Sequence, residues 1–542
     1  MASAGRAAVS SSNERLVLAV DLGTSGCKCA LVGLDGSVQA WAFRPVSLHL
    51  VGEHGVEQDP EDWWQAFLGA AQELLAGHAQ RRRQIIAVCC SAFGECTVPV
   101  DKQGNALSRA MLWLDMRGAD AIRRRARSGR LNIQGYGPLK LARWLRLTGG
   151  APSLSGKDPA GHIAWLHDHD KPLFERTYKF LGALDFMNLR LTGRFCSTYD
   201  SALTTWATDN RDLSRVRYDD RLLRMLKLDS KQLPELLPST EVIGHLTPKV
   251  AETLGLSPAT RVVAGAVDNS AAAIGAGTVR DRELHLYLGT SSWIGAHIPE
   301  KRTNLSAFIA SLPCAQKDRY LAMAMQSAAC SNLTMLRDRI LFHPDELMRD
   351  DSRPDVYALL DNIADRVPAG SRGLIYLPWL QGERTPVDDR HLRAGLFNLS
   401  LEHTREDMIR AFLEGVALNT RWMLEPMLTF VGCNRGASMT VVGGGGQSHV
   451  WCQMIADVTG MVIEQPVAPI QANAVGAAFI AGVGLGEMSF NDVPALCQRE
   501  RRFEPREALR HLYDDRFGTF KELHRRLAPL YRRINQHRSA PR

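Results

Sequence analysis

The tetrapeptide Leu-Gly-Thr-Ser occurs twice in this chain, at 22–25 and at 288–291. Each copy closes one extended apolar run and opens another. Leu16 to Val20 is continuously apolar, Asp21-Leu22-Gly23-Thr24-Ser25-Gly26 ends it, and Cys27 to Val32 follows. Leu284 to Leu288 likewise ends in Gly289-Thr290-Ser291-Ser292. A short, unbroken apolar run reads as a strand buried on both faces. Each copy therefore predicts strand–turn–strand, not the strand–loop–helix order of a Walker-type phosphate loop. One turn repeated in one context predicts two halves of similar design, at a distance far beyond any solenoid period. The length of 542 residues has room for two or three domains of roughly 100–200 residues each.

Further elements follow from local pattern. Asp59 as N-cap, with Pro60 at the first helical position, opens a helix whose stripe is Trp63, Trp64, Phe67, Leu68, Ala71, Leu74 and Leu75. Ile85 to Cys90 and Arg261 to Ala266 read as buried strands; the second ends at Val267-Asp268-Asn269 and leads into a helical run of small residues up to Gly277. Ser438 to Val442 reads as a strand entering the glycine run 443–446, after which Ser448 caps a helix closed by Gly460. Glu507 to Asn535 reads as a charged helical segment interrupted near Gly518 and Pro529, and residues 1–14 as a disordered lead-in.

Composition narrows the function classes. With 45% hydrophobic and 23% charged residues, the chain is neither mostly disordered, nor collagen-like, nor a coiled coil. The formal net charge is +7, but residues 499–542 alone hold 13 Lys and Arg against 6 Asp and Glu, so the remainder is formally neutral. This argues against a nucleic-acid partner and leaves the terminal segment as a solvated helical face, or a subunit or membrane-surface contact. Eleven Cys without C-x-x-C spacing predict free thiols in a reducing compartment, with Cys27, Cys29, Cys89 and Cys90 as small buried hydrophobes. The first residues carry no apolar signal core, and the longest apolar stretch, Ala474 to Leu485, is too short to span a bilayer. The expectation is a cytoplasmic protein without membrane insertion.

Four places could carry chemistry. Asp21 stands at a strand end beside Gly23, Thr24 and Ser25, where backbone N–H groups and hydroxyls can cradle phosphate oxygens and the acid can hold Mg²⁺; the same residues also suit an ordinary hairpin. Gly443, Gly444 and Gly445 leave the backbone open to a flat base or ribose, or form a flexible turn. Asp268 is either a proton acceptor for a substrate hydroxyl or a helix N-cap. Gln381 to Pro386 reads as a loop with a surface ion pair.

Taken in order, these pieces resemble the FGGY family of carbohydrate kinases, and within it the xylulokinases. Asp21 to Ser25 with Lys28 is similar to the family's first phosphate motif, and Leu288 to Ser291 to its second. Trp113-x-Asp115-x-Arg117 resembles its W-x-D-x-R element, and Gly265-Ala266-Val267-Asp268-Asn269 the segment carrying its catalytic base. Leu377-Pro378 through Gly382-Glu383-Arg384-Thr385-Pro386, and Gly395-Leu396 with His403-Thr404 and Arg410-Ala411-x-x-Glu414-Gly415, resemble its C-terminal signatures. Gly443 to Gly445 with Ser448, Trp451, Gln453, Ala456 and Asp457 is similar to its adenosine motif, followed by Asn473 and Gly476-Ala477-Ala478.

The resemblance covers roughly residues 15 to 535. It implies an α/β fold of two ribonuclease-H-like domains of the actin/hexokinase superfamily, with the active site in the cleft between them. The domains fall at 15–276 and 277–490, followed by a basic helical segment at 491–542. It implies ATP and Mg²⁺ as cofactors, and transfer of the γ-phosphate to a hydroxyl of a small sugar or polyol such as xylulose. Asp268 is then the catalytic base and Asp21 the metal ligand. Gly23, Thr24, Ser25, Lys28, Gly289, Thr290, Ser291, Gly443, Gly444, Gly445 and Asn473 bind the nucleotide. Glu95, Trp113, Asp115, Arg117, Asp268 and Asn269 bind the acceptor. Glu95 falls where xylulokinases place His and glycerol kinases an acid, and Phe93-Gly94 is similar to fuculokinases, so glycerol, erythritol or fuculose types remain alternatives. A non-catalytic nucleotide-binding member and a chaperone-type ATPase are the rivals. Asp268 with the polar set around Glu95 argues against the first, and the lack of a peptide-binding domain after residue 490 against the second. The expected partners are small molecules, not nucleic acid, with a homodimer left open.

Overall fold

The computed structural model describes residues 15–342 and 356–535; the lead-in expected at 1–14 lies outside them. The chain divides into two units. One holds the chain up to Gly275 with Pro313–Lys317 and Asn473–Leu496; the other holds Ala276–Leu312, Asp318–Ala472 and the chain from Cys497.

The first unit is built on a six-stranded sheet: β1 (Leu16–Gly23), β2 (Gly26–Gly33), β3 (Val38–Pro45), β4 (Ile85–Ala92), β5 (Val242–His245) and β6 (Arg261–Val267). Their order is β5-β6-β4-β1-β2-β3. β1, β2 and β3 form an antiparallel meander, β4 lies parallel to β1, β6 parallel to β4, and β5 antiparallel at the edge. Leu16, Val17, Leu18, Ala19 and Val20 are all fully buried, which is why β1 is continuously apolar and does not alternate. Helix α1 (Pro60–Gly77) starts as its sequence predicts, Asp59 accepting from the Glu61 N–H, and buries Trp63, Phe67, Ala70, Ala71 and Leu74 in the core shared with β1. Further helices of this unit include α2 (Ala119–Ala126), α3 (Pro138–Leu147), α4 (Pro159–His169), α5 (Ala183–Thr192), α6 (Asp220–Leu226) and α7 (Asp268–Gly275).

The second unit carries an eight-stranded sheet: β7 (Leu284–Leu288), β8 (Ser292–Ile298), β9 (Thr303–Asn304), β10 (Ile309–Pro313), β11 (Tyr320–Gln326), β12 (Ser438–Val442), β13 (Val462–Pro466) and β14 (Arg499–Phe503). The order is β9-β10-β11-β8-β7-β12-β13-β14. Again an antiparallel set (β11, β8, β7) is followed by two parallel strands (β12, β13) and an antiparallel edge (β14). The repeated tetrapeptide thus marks the same hairpin in two copies of one mixed sheet, the ribonuclease-H-like arrangement of the actin/hexokinase superfamily. Helices of the second unit include α8 (Arg405–Val431) and α9 (His449–Thr459, capped by Ser448 and closed by Gly460); α10 (Ala472–Gly484) belongs from Asn473 onward to the first unit, and α11 (Arg510–Asn535) is again part of the second.

Two expectations for the terminal segment are corrected. Residues 499–503 form β14, and α11 runs unbroken through Gly518 and Pro529. Tertiary packing outweighs the local breakers. Tyr513, Phe517 and Phe520 are buried along α11, and the Arg421 guanidinium lies 4.4 Å over the Phe517 ring. Its basic charge is only partly solvated: Arg506 pairs with Asp457 at 2.6 Å and Arg532 with Asp389 at 2.9 Å. All eleven cysteines are free, and no helix among the described residues is long and apolar enough to cross a membrane.

Candidate active site

Across the first hairpin Asp21 pairs in register with Lys28, whose Nζ lies 3.5 Å from Asp21 Oδ2. Asn473, in the first turn of α10, donates to Asp21 Oδ1 at 3.1 Å, while its own Oδ1 is buried without a partner. The turn is clamped from two sides. Gln58 Nε2 donates to the Thr24 carbonyl at 2.8 Å while Gln58 accepts from Trp63 of α1, and Trp113 Nε1 donates to the Thr24 hydroxyl at 3.1 Å. A side chain at Gly476 would overlap the Ala271 carbonyl, so its absence lets α10 lie against α7. That close approach brings Asn473 and Asp21 to the helix that Asp268 opens.

Asp268 sits where β6 passes into α7. Its Oδ1 accepts from the N–H of the next residue, Asn269, at 2.8 Å, which is not the contact to the second or third helical N–H that an N-cap makes. Burial pushes its carboxyl up to about 7, and the negative charges of Asp21, Glu95 and Asp200 add to the rise. One carboxyl therefore senses the charges of both Asp21 and Glu95.

Glu95, expected to contact the acceptor, holds φ +54°, a left-handed conformation that costs a side-chain-bearing residue free energy and recurs at functional sites. Asp115 is fully buried, accepting from the Val56 N–H at 3.0 Å and from Arg117 Nη2 at 2.6 Å. Arg117 also reaches Glu57 at 2.5 Å and stacks 4.7 Å over Trp165. Asp115 and Arg117 thus brace the loop that presents Trp113. Beneath them His162, held neutral by a burial-lowered pKa of about 4, links Thr97 to the Asp115 carbonyl.

In the second unit the repeated tetrapeptide makes a slightly different turn. Leu288 pairs with Ser292, leaving three turn residues where the first hairpin has two. The Gly289 carbonyl accepts from the Cys330 N–H and the Thr290 carbonyl from the Ala329 N–H, both at 2.9 Å. Gly443, at φ +91°, lies so close that a Cβ would sit 2.8 Å from the Leu288 carbonyl oxygen, whereas Gly444 faces open space. The end of β12 and the turn after β7 therefore form one glycine-lined wall.

Residues 16–275 match the N-terminal domain of the FGGY family of carbohydrate kinases, and residues 284–485 its C-terminal domain. The chain belongs to this family. It is an ATP-dependent sugar kinase, and its similarity to individual members is modest but runs end to end. It is 27% identical to the xylulose kinase of Escherichia coli over 95% of this chain and 100% of that one. It is 26% identical to the gluconokinase of Bacillus subtilis, over 96% and 97% respectively. The crystal structure of xylulose kinase from Rhodospirillum rubrum superposes with a TM-score of 0.78 at 26% identity, covering 95% of this chain and 100% of that one.

Within this FGGY kinase, two family signatures serve the scaffold. Glu383, expected in a surface ion pair, is instead buried, accepting from Asn419 Nδ2 at 2.6 Å and from the Ser327 N–H at 2.9 Å, and burial pushes its carboxyl up to about 7. Arg410 pairs with Glu414 at 2.8 Å inside α8, and Glu414 also accepts from Tyr513 of α11.

Two carboxylates escaped the sequence reading because each stands alone in the chain, far from any motif. Asp158 is buried near Glu95 and has a carboxyl pushed up to about 7 by burial; it accepts from Trp206 Nε1 at 2.7 Å. Asp200 is buried and accepts from the Val267 N–H at 3.0 Å and the Thr198 hydroxyl at 2.5 Å, so it holds the backbone immediately before Asp268. Asp200→Asn should lower acceptor-dependent kcat about ten-fold, a loss near the ~1.5 kcal/mol of one charge-assisted hydrogen bond. It should also move the acidic limb of the pH–rate profile to lower pH, because a negative charge that raises Asp268 is gone. An unchanged profile would show that Asp200 acts on folding alone.

Proposed function

We propose that this kinase phosphorylates a hydroxyl of a neutral pentulose of the xylulose type. Asp268 accepts the hydroxyl proton as the oxygen bonds to the γ-phosphorus and the bond to the ADP oxygen breaks. The observation that carries the reading is the Asp268 carboxyl, raised to about 7 at the β6–α7 junction, where a base must change protonation near neutral pH. Gly23, Thr24, Ser25 and Lys28 offer donors to the phosphate chain. Gly289, Thr290, Ser291, Gly443, Gly444 and Gly445 serve the rest of the nucleotide, the open backbone at Gly444 leaving room for a flat base. Mg²⁺ is usually bound by one or two carboxylates together with phosphate oxygens and water. Asp21, with the unpartnered Asn473 Oδ1 beside it, would hold Mg²⁺, which supplies charge neutralisation on the phosphate oxygens.

The acceptor's charge follows from its neighbours. After burial, the charge of Glu95 helps to raise the carboxyls of both Asp158 and Asp268, so in this reading the acceptor side is acidic and a carboxylate-bearing acceptor such as gluconate meets like charge. Glu95, Trp113 and Asn269 remain to contact hydroxyls, with Asp115 and Arg117 behind them. Eleven free thiols, eight of them buried, suit the reducing cytoplasm. Coupled ADP release measured over xylulose, other pentuloses, erythritol, glycerol, deoxyhexuloses and gluconate is the test. A neutral pentulose should give the highest kcat/KM; gluconate at the head of the series would sink the reading.

A further inference from the structure

A cavity of about 640 Å³ opens between α2, α3, α4 and α6 of the first unit, and none of its residues belongs to a family motif. Its walls are basic. Arg124 and Arg125 come from α2, Lys140 and Arg143 from α3, Arg221 and Arg224 from α6, and Lys227 from the residue that ends α6. Asp168 on α4 is the one carboxylate lining it. Seven cations thus face one anion, although the chain outside residues 499–542 is formally neutral.

The floor is rigid. Asp168 accepts from Arg125 Nη1 and Nη2 at 2.8 and 2.9 Å and from Arg124 Nη2 at 2.8 Å. The Arg125 side chain, 4% exposed, also donates from Nε to the Leu226 carbonyl, tying α2 to α6. Lys140 Nζ donates to the Arg125 and Arg127 carbonyls at 2.5 and 2.8 Å. The rim is different. Among the described residues no carboxylate pairs with Arg143, Arg221, Arg224 or Lys227; the Arg143 guanidinium touches only the Met225 sulfur, at 3.8 Å. Like charges gathered without counter-ions repel one another, and low-dielectric walls focus their field into the concavity.

We propose that this cavity is an anion site, separate from the site of phosphoryl transfer, that binds a small molecule carrying two or more phosphate groups. Its volume lies in the range of small-molecule sites, roughly 300–1,000 Å³. Three guanidinium groups at its mouth, those of Arg143, Arg221 and Arg224, present planar, paired donors suited to phosphate oxygens, and the Lys227 ammonium adds a fourth charge. Its cations converge from separate helices on one concavity; they do not run along an extended face, as a nucleic-acid backbone would need. The proposal does not depend on which sugar the kinase uses.

The test is calorimetric titration of the full-length protein with sodium tripolyphosphate in the absence of nucleotide and Mg²⁺, so that no saturating triphosphate itself fills the cavity. The wild type should bind about one tripolyphosphate, with affinity falling steeply as salt rises. The double variant Arg221→Glu, Arg224→Glu should bind at least about ten-fold more weakly, with sugar-dependent turnover unchanged. The milder pair Arg143→Gln, Arg224→Gln, which introduces no repulsion, should lose a smaller but measurable share and guards against misfolding. Equal affinity in wild type and both variants, or no binding, would overturn the proposal. So would a clear preference for a single-stranded oligonucleotide or an anionic phospholipid vesicle over tripolyphosphate.

Discussion

Asp268→Asn should reduce acceptor-dependent ADP release by about 10²–10⁴-fold, the usual contribution of a positioned general base. ATP affinity, measured by titration with a non-hydrolysable analogue, should stay within about two-fold, about 0.4 kcal/mol. Asn is preferred to Ala because its side-chain oxygen can still accept from the Asn269 N–H. In the wild type, kcat/KM should fall as pH drops through about 7, since the base must be deprotonated to act. The same shift predicts a stability effect of opposite sense. Because the folded pKa lies above the unfolded one, the folded state holds a proton that the unfolded state has lost between about pH 4 and pH 7. This group's contribution to stability therefore declines across that window, and its full cost is present above about 7. Asn carries no such cost, so the variant should melt no lower than the wild type at pH 8. A variant that is inactive and also melts well below the wild type would mean that Asp268 serves the fold. Near-normal turnover would remove it as the base.

The sequence was most informative where chemistry and local geometry coincide. Leu16 to Val20 is apolar throughout because both faces of that strand are covered, Leu284 to Leu288 is buried apart from a half-buried Tyr287 although His285 interrupts its apolar run, and the glycine, threonine and serine after them mark the two hairpins. The caps at Asp59, Ser448 and Gly460 stand where their residue types require. Long-range neighbours were hidden. Nothing around Asp200 says that its carboxylate will meet the N–H of Val267, because the contact is made by the fold between residues 67 positions apart. The basic cavity was hidden in the same way: only Arg123-Arg124-Arg125 is a run, and its partners come from two other helices. Pro529 and Gly518 misled because propensity is a local quantity, whereas α11 is held by buried aromatic side chains.

Gly265→Ala should be the most destabilising single-methyl change near the site, on the order of 2–4 kcal/mol. On β6, Val263 pairs with Cys89 of β4 and Ala266 with Ser91, so Ala264 and Gly265 together stand opposite Cys90. This is a β-bulge, with one extra residue on β6. The extra length is absorbed by other partners: the Ala264 N–H goes to the Glu241 carbonyl, the Gly265 N–H to that of Ser239, and Asn188 of α5 donates to the Ala264 carbonyl. Gly265 holds φ +75°, and a Cβ there would overlap the Cys90 carbonyl oxygen. An alanine thus incurs the left-handed backbone cost of roughly 1–2 kcal/mol and must also push β4 and β6 apart. Because Asp268 lies three residues on, that displacement should cost acceptor turnover as well as stability. Gly193→Ala is the control. Gly193 has a similar φ of +79° at the end of α5, but nothing lies within 4 Å of its missing Cβ. It should show the backbone cost alone, with unchanged kinetics. Thermal melts and acceptor KM and kcat on both variants decide the matter. If the two melt alike and turn over alike, the close approach to Cys90 is not what the glycine of this motif is for, and the bulge does not set the position of Asp268.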